Sequence, residues 1–246
     1  LATVEGERAG LAADMAVSWV ESNFHQAGSL LLAPARDAME SGSHAVKAFD
    51  ALMLQRAKDA RILSQISVIP YDGQALGETL GAHLDSLHSV VERHALALLE
   101  KGEEDFRVSP LLRQDGDAIA ILRKLPIDDG VTGAIAVGLL DLDVLQQSLA
   151  SKDLPYGDSL ALVDREFRLV ARVPDLDAAG APLHRGMAIQ SPELQLAASR
   201  HAHHNGIDLE SPVDGKRRLY AVRQLEGAPF LLITGRGINL AVNEPA

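Results

Sequence analysis

The 246 residues carry 23 Lys and Arg against 34 Asp and Glu, a net charge of −11 that repels phosphate backbones and anionic lipid headgroups and argues against nucleic-acid or membrane-surface binding. The absence of cysteine removes disulfide frameworks, thiolate nucleophiles and cysteine-bound zinc, and no apolar run approaches the roughly 20 residues of a membrane span. A hydrophobic content of 47% can fill the cores of two modest domains.

From Glu5 to Leu32 there is no proline, and apolar residues recur in steps of four and three at Ala13, Val17, Val20, Phe24, Ala27 and Leu31. This spacing predicts a long helix with a narrow stripe. The stripe either packs on the chain's own core or forms the seam of a parallel homodimer, because its 3.5-residue average suits a supercoil. Pro34 kinks or ends the helix, and a second helical stretch, "SHAVKAFDALMLQRAKDA", follows.

At Arg61 the texture changes. "RILSQISVIPYDGQ" reads as a strand running into an Asp72-Gly73 turn, and "HLDSLHSVVERHALALLE" as a helix with Leu84, Leu87, Val91 and Leu98 near one face. Three strand-like stretches follow, "DFRVSPLL", "DAIAILRKL" and "TGAIAVGLL", separated by Gln114-Asp115-Gly116 and Asp128-Asp129-Gly130. Such separators suit the positive-φ positions of hairpins and so predict an antiparallel sheet. "DLDVLQQSLASKDLPYGD" supplies a short helix with Asp141 as N-cap and then a polar break between domains.

The cycle repeats beyond that break. "DSLALVDREFRLVARVP" is a strand pair around Asp164-Arg165-Glu166, and "SPELQLAASRHAHH" is a helix capped by Ser191 with Pro192 at its first position. "GIDLESPV", "KRRLYAVRQL" and "APFLLITGR" are three further strands. Two successive blocks of strand, helix and three strands make a structural repeat without obvious sequence identity.

Several of these stretches resemble the double Cache domains, the extracytoplasmic sensors that precede diguanylate cyclase, histidine kinase and chemoreceptor modules. The likeness is carried by "GDSLALVDREFRLVARVPD" with its Arg172 and Pro174, by "SPVDGKRRLYAVRQLEGAPFLLITGRG" with Asp214-Gly215 at the hairpin and Arg223 in the middle strand, and by "AILRKLPIDDGVTGAIAVGLLDLDVL" upstream. It implies an α+β fold in which a long N-terminal helix precedes two tandem PAS-like domains with antiparallel sheets. The corresponding divisions are residues 1–60 for the helices, 61–152 for a membrane-distal domain, 153–238 for a membrane-proximal domain and 239–246 for an exit toward a membrane helix. It also implies a periplasmic sensor that binds a small molecule, such as a carboxylate, and signals to a cytoplasmic output domain while tethered to the membrane by segments outside these residues. Leu1 and Ala246 accordingly read as cut ends of a longer receptor. The competing expectation is a structural or protein-interaction ectodomain with no small ligand.

Where members of this family that sense amino acids carry an aromatic and an Arg, this chain reads "GAHLDSLHSV", with His83 and His88 instead. That argues against amino-acid sensing by the usual residues. In a PAS-like domain a ligand lies between the concave sheet face and the helix crossing it. The distal candidates are therefore Tyr71, His88, Ser109 and above all Arg123, whose guanidinium offers a two-pronged fit to a carboxylate. In the proximal domain Arg172, Arg218 and Arg223 lie on strands and read as solvated, of interest only if two converge.

The run His201, His203 and His204, placed on a helix, brings two imidazoles to one face, too few for a metal centre, and no metal or other cofactor is expected. No nucleophile elbow, His-Glu-x-x-His or phosphate loop occurs, so no catalytic residues are assigned and these residues are not read as an enzyme.

Overall fold

The computed structural model describes residues 2–41, 55, 57, 61–71, 80–81, 87–100, 104–113, 117–126, 132–151, 154–155, 157–199 and 203–238. They divide into two compact units. The first-sheet unit comprises residues 20–145 with 226–229, and the second-sheet unit comprises 1–19, 146–225 and 230–246.

Helix α1 spans Ala2–Leu30 and α2 spans Leu32–Ser41. The break at Leu31 precedes Pro34, which has no N–H for the carbonyl of Leu30 and whose ring would collide with it. The second predicted helix, residues 43–60, lies outside the described residues except for Gln55 and Ala57. The stripe on α1 is consumed internally: Ala13, Val20, Phe24, Ala27 and Leu31 are buried within the chain and Val17 is half-buried. The seam of a parallel dimer is therefore not available on this face of the helix.

The strands of the first-sheet unit are β1 (Leu63–Pro70), β2 (Leu80–Gly81), β3 (Phe106–Val108), β6 (Ala120–Pro126) and β7 (Thr132–Leu140), with a small hairpin of β4 (Leu112–Arg113) and β5 (Asp117–Ala118) beside them. Their order is β2-β1-β7-β6-β3, with every described neighbour antiparallel. Helix α3 (His88–Glu100) covers one face, where Leu87, Val91, Ala95 and Leu98 pack on Ile69, Ala120, Leu122, Ile135, Val137 and Leu139. The end of α1 covers the other. Gly28 stands so close to this sheet that an added Cβ would come 2.5 and 2.8 Å from two ring carbons of Phe106. Glycine in mid-helix costs about 1 kcal/mol relative to alanine, yet Gly28→Ala is expected to destabilise the chain by about 1–3 kcal/mol because the ring must shift. A lowered urea midpoint would record that sign, and a raised midpoint would contradict the packing.

Helix α4 (Leu142–Ala150) is capped as expected, with the Asp141 carboxylate accepting from the backbone N–H of Asp143 and Val144 at 3.0 and 3.1 Å. The second sheet contains β8 (Ser159–Asp164), β9 (Leu169–Val173), β10 (His203–Glu210), β11 (Arg217–Gln224) and β12 (Phe230–Gly237) in the order β10-β11-β12-β8-β9. Counting the five strands of each sheet in chain order, both read 2-1-5-4-3, the first strand flanked by the second and the last. The repeat inferred from block order is thus a repeat of topology. Helix α5 (Pro192–Ser199) closes one face through Leu194 and Ala197, which join Ala161, Val163, Tyr220, Val222, Leu231 and Ile233. The start of α1 covers the other face, where Ala9 and Ala13 meet Ala221.

Two expectations about this unit are corrected. His203 and His204 do not continue the helix: α5 ends at Ser199, and the two open β10 opposite Arg223 and Val222, while His201 lies outside the described residues. Gly206 and the bulge beside it favour strand over helix here.

The three arginines are buried rather than solvated. Arg172 and Arg218 converge on Asp214. Arg218 donates to both carboxylate oxygens at 2.6 and 2.8 Å, and Arg172 donates to one at 2.8 Å. Backbone carbonyls take further donors, Gly157 from Arg218 and Pro174 and Leu176 from Arg172, and the Tyr220 hydroxyl accepts from Arg218 at 3.5 Å. Burial alone would raise the Asp214 pKa, but the hydrogen bonds from Arg218 and Arg172 prevail and hold its carboxyl well below the usual range.

Arg223 lies on the opposite face. It donates to Asp14 at 2.6 Å, to Asn205 at 2.7 Å and to the carbonyl of Gly10 at 3.4 Å, tying α1 to the sheet. Gly10 permits that approach, since an added Cβ would stand 2.6 Å from the Asn205 side chain.

Candidate functional site

The site is best built from the register of the first sheet, because a one-residue slip moves a side chain to the other face. Leu122, paired with Val137, belongs to the core beneath α3. Two residues on, Lys124 sits opposite Ile135, which sits opposite Ile69, so these three form one row on the α3 face. The preceding row carries Arg107, Leu122, Val137 and Ser67, and the one before it Ala120, Leu139 and Gln65. Tyr71 extends β1 beyond Ile69 and donates its N–H to the carbonyl of Gly133 at 2.9 Å.

Of the four sequence-predicted residues, this register brings Tyr71 and Ser109 onto the α3 face and sends Arg123 to the other. Arg123 is directly opposite Phe106, whose ring stacks on His25 of α1 at 4.9 Å. The guanidinium therefore belongs to the side covered by α1, not to the concavity under α3. His88 is the first residue of α3, and its side chain lies outside the described residues. Ser109 is fully buried, but its hydroxyl is engaged by the backbone: it accepts from the N–H of Ala120 and donates to the carbonyl of Pro110, both at 2.8 Å. That geometry pins the chain beyond β3 against β6. Tyr71 is half-buried at the end of the sheet.

The residue that sequence reasoning missed is Lys124, only 9% exposed. "ILRKLP" contains both cations side by side, and alternation alone states that they face opposite ways without stating which faces the pocket. The decisive signal was the parity of Leu122 and Lys124 against Ile121 and Arg123. Ser67, fully buried in the neighbouring row, was missed for the same reason.

The His94 imidazole on α3 is held below its usual pKa, first by burial and then by the charges of Arg107 and Arg93. The Lys124 ammonium, buried on this face, is the group there suited to hold an anionic part of a small molecule, because a low-dielectric surround strengthens the attraction.

No protein-family model matches the sequence, and no curated protein matches it. Solved structures do match, along nearly the whole chain. The extracellular domain of rpHK1S-Z16, described as a histidine kinase, is 17% identical with a TM-score of 0.57, and the match covers 99% of this chain and 94% of that one. The ligand-binding domain of the Campylobacter jejuni chemoreceptor Tlp3, solved with L-norvaline, is 14% identical with a TM-score of 0.62 and the same coverage. That of the Pseudomonas fluorescens chemoreceptor CtaA, solved with L-isoleucine, is 14% identical with a TM-score of 0.55, covering 96% of this chain and 92% of that one. With its leading helix and two antiparallel sheets of like topology, the chain has the fold of these sensory ligand-binding domains.

Proposed function

We propose that the chain is the periplasmic sensing region of a bacterial membrane receptor and that it binds a small carboxylate on the α3 face of the first-sheet unit, with Lys124 holding the carboxylate and Tyr71 closing the end of the site. The observation that carries this reading is the buried Lys124 on the face where domains of this fold are crossed by a helix. The ligands named for Tlp3 and CtaA are amino acids, each of which bears a carboxylate. No described helix is long and apolar enough to cross a membrane; the proposal places the tether and the output domain in segments other than these residues. The role is sensing rather than catalysis. Binding favours one arrangement of the site, and α1, which contributes residues to both units, carries the change. A near-complete switch requires a differential affinity of about 5 kcal/mol.

Thermal-shift screening against organic acids, amino acids and amines tests the proposal. Acids are expected to raise the melting temperature in proportion to the logarithm of their concentration, and amines are not. Lys124→Met, which keeps the length and the apolar stem, is expected to weaken the best acid at least about 30-fold while leaving the unliganded melt in place. Absence of stabilisation across the library would favour a protein-interaction ectodomain instead.

A further inference from the structure

We propose that the second-sheet unit carries a separate binding site for small uncharged apolar molecules, of the size of one or two rings, in the cavity between the first half of α1 and the second sheet. The cavity has a volume of about 540 Å³, within the roughly 300–1,000 Å³ of small-molecule pockets. Its origin is legible in the helix. Ala9, Ala12 and Ala16 are three and four residues apart and line the cavity with no side chain beyond Cβ, so the space above Leu160 stays unfilled. Trp19 closes one end and Met15, largely exposed, overhangs the opening.

The charged groups at the cavity and the Thr234 hydroxyl are already engaged, which selects an uncharged occupant, and the buried Ser159 hydroxyl leaves room for at most a single polar atom on it. The Thr234 hydroxyl donates to the carbonyl of Ala9 at 3.0 Å. One Asp158 oxygen accepts from the N–H of Gly237 at 2.8 Å, and the other faces the Arg236 guanidinium at 3.9 Å. A charged ligand would have to break into these pairs and lose water as well, whereas a hydrocarbon ring only displaces water from alanine and leucine surface. The site is on the α1 side of the second sheet, and none of its residues belongs to the Lys124 face.

Trp19 is the only tryptophan, so its emission reports on this cavity alone. The chain would be titrated with p-xylene, n-butylbenzene and cyclohexanol, with benzoate as the charged counterpart. A saturable change in Trp19 emission is expected for the uncharged probes, with benzoate at least about tenfold weaker. Ala16→Leu, which fills the cavity, should abolish the response without lowering the melting temperature, and Ala12→Leu, at an exposed position, serves if Ala16→Leu does not fold. Lys124→Met should leave it unchanged. No saturable change up to the solubility of the probes, or an undiminished response in the leucine variants, would overturn the proposal. So would emission that depends on protein concentration without probe and loses that dependence in Met15→Glu, because a second copy of the chain would then occupy the face.

Discussion

Asp214→Ala is expected to lower stability by about 3–5 kcal/mol, the cost of leaving buried charges without their partner, or roughly 10 °C in melting temperature for a chain of this length. Two guanidiniums share this one carboxylate, and the side chains of Arg172, Arg218 and Asp214 are 3%, 0% and 5% exposed. Removing it leaves two buried cations with backbone carbonyls and the Tyr220 hydroxyl but no opposite charge. The same contacts join β9 to the hairpin between β10 and β11, and Gln146 of α4 brackets them by accepting the Arg172 N–H at 2.9 Å and donating to its carbonyl at 2.6 Å. Arg217→Ala is the control. Arg217 is next in sequence to Arg218 and pairs with Asp208 at 2.9 Å, but both partners are well exposed, and no resolvable change in melting is expected.

The Asp214 contribution also has a defined pH dependence. Its folded pKa is depressed, so the stabilisation is fully present above the unfolded value of about 4 and is lost progressively as the pH falls below it. Wild type is expected to lose stability more steeply than Asp214→Ala over that acidic range. Parallel curves would show that the carboxylate is not held by the arginines.

Phe24→Ala is expected to destabilise by about 3–5 kcal/mol, since it removes a buried aromatic ring from α1 and leaves a cavity. The magnitude matters less than its independence of protein concentration. If the stripe of Val20, Phe24, Ala27 and Leu31 packs on the chain's own sheet, as the position of Leu31 against Gly138 indicates, the loss in urea midpoint is the same at every concentration. A loss that grows on dilution would instead belong to a dimer seam.

The architecture could be read from the residues because its determinants are local. Asp141 and Ser191 cap helices where their side chains reach the first free N–H groups. Asp164 builds its turn by accepting from Glu166 and Arg168, and alternation with turn residues marked the strands. What escaped depends on non-local register. Arg123 and Lys124 are indistinguishable until β6 is set against β7, and Arg172 stands 42 residues from the Asp214 it pairs with. An arginine on a strand reads as solvated because its partner cannot be identified until the sheet is assembled.

The most direct test of the sensing account is the crystal structure of the chain grown with the acid that stabilises it most. The account predicts the ligand on the α3 face of the first sheet, its carboxylate within hydrogen-bond distance of the Lys124 ammonium. A ligand bound on the α1 side beside Arg123, or on the second sheet with the Lys124 face unchanged, would contradict it.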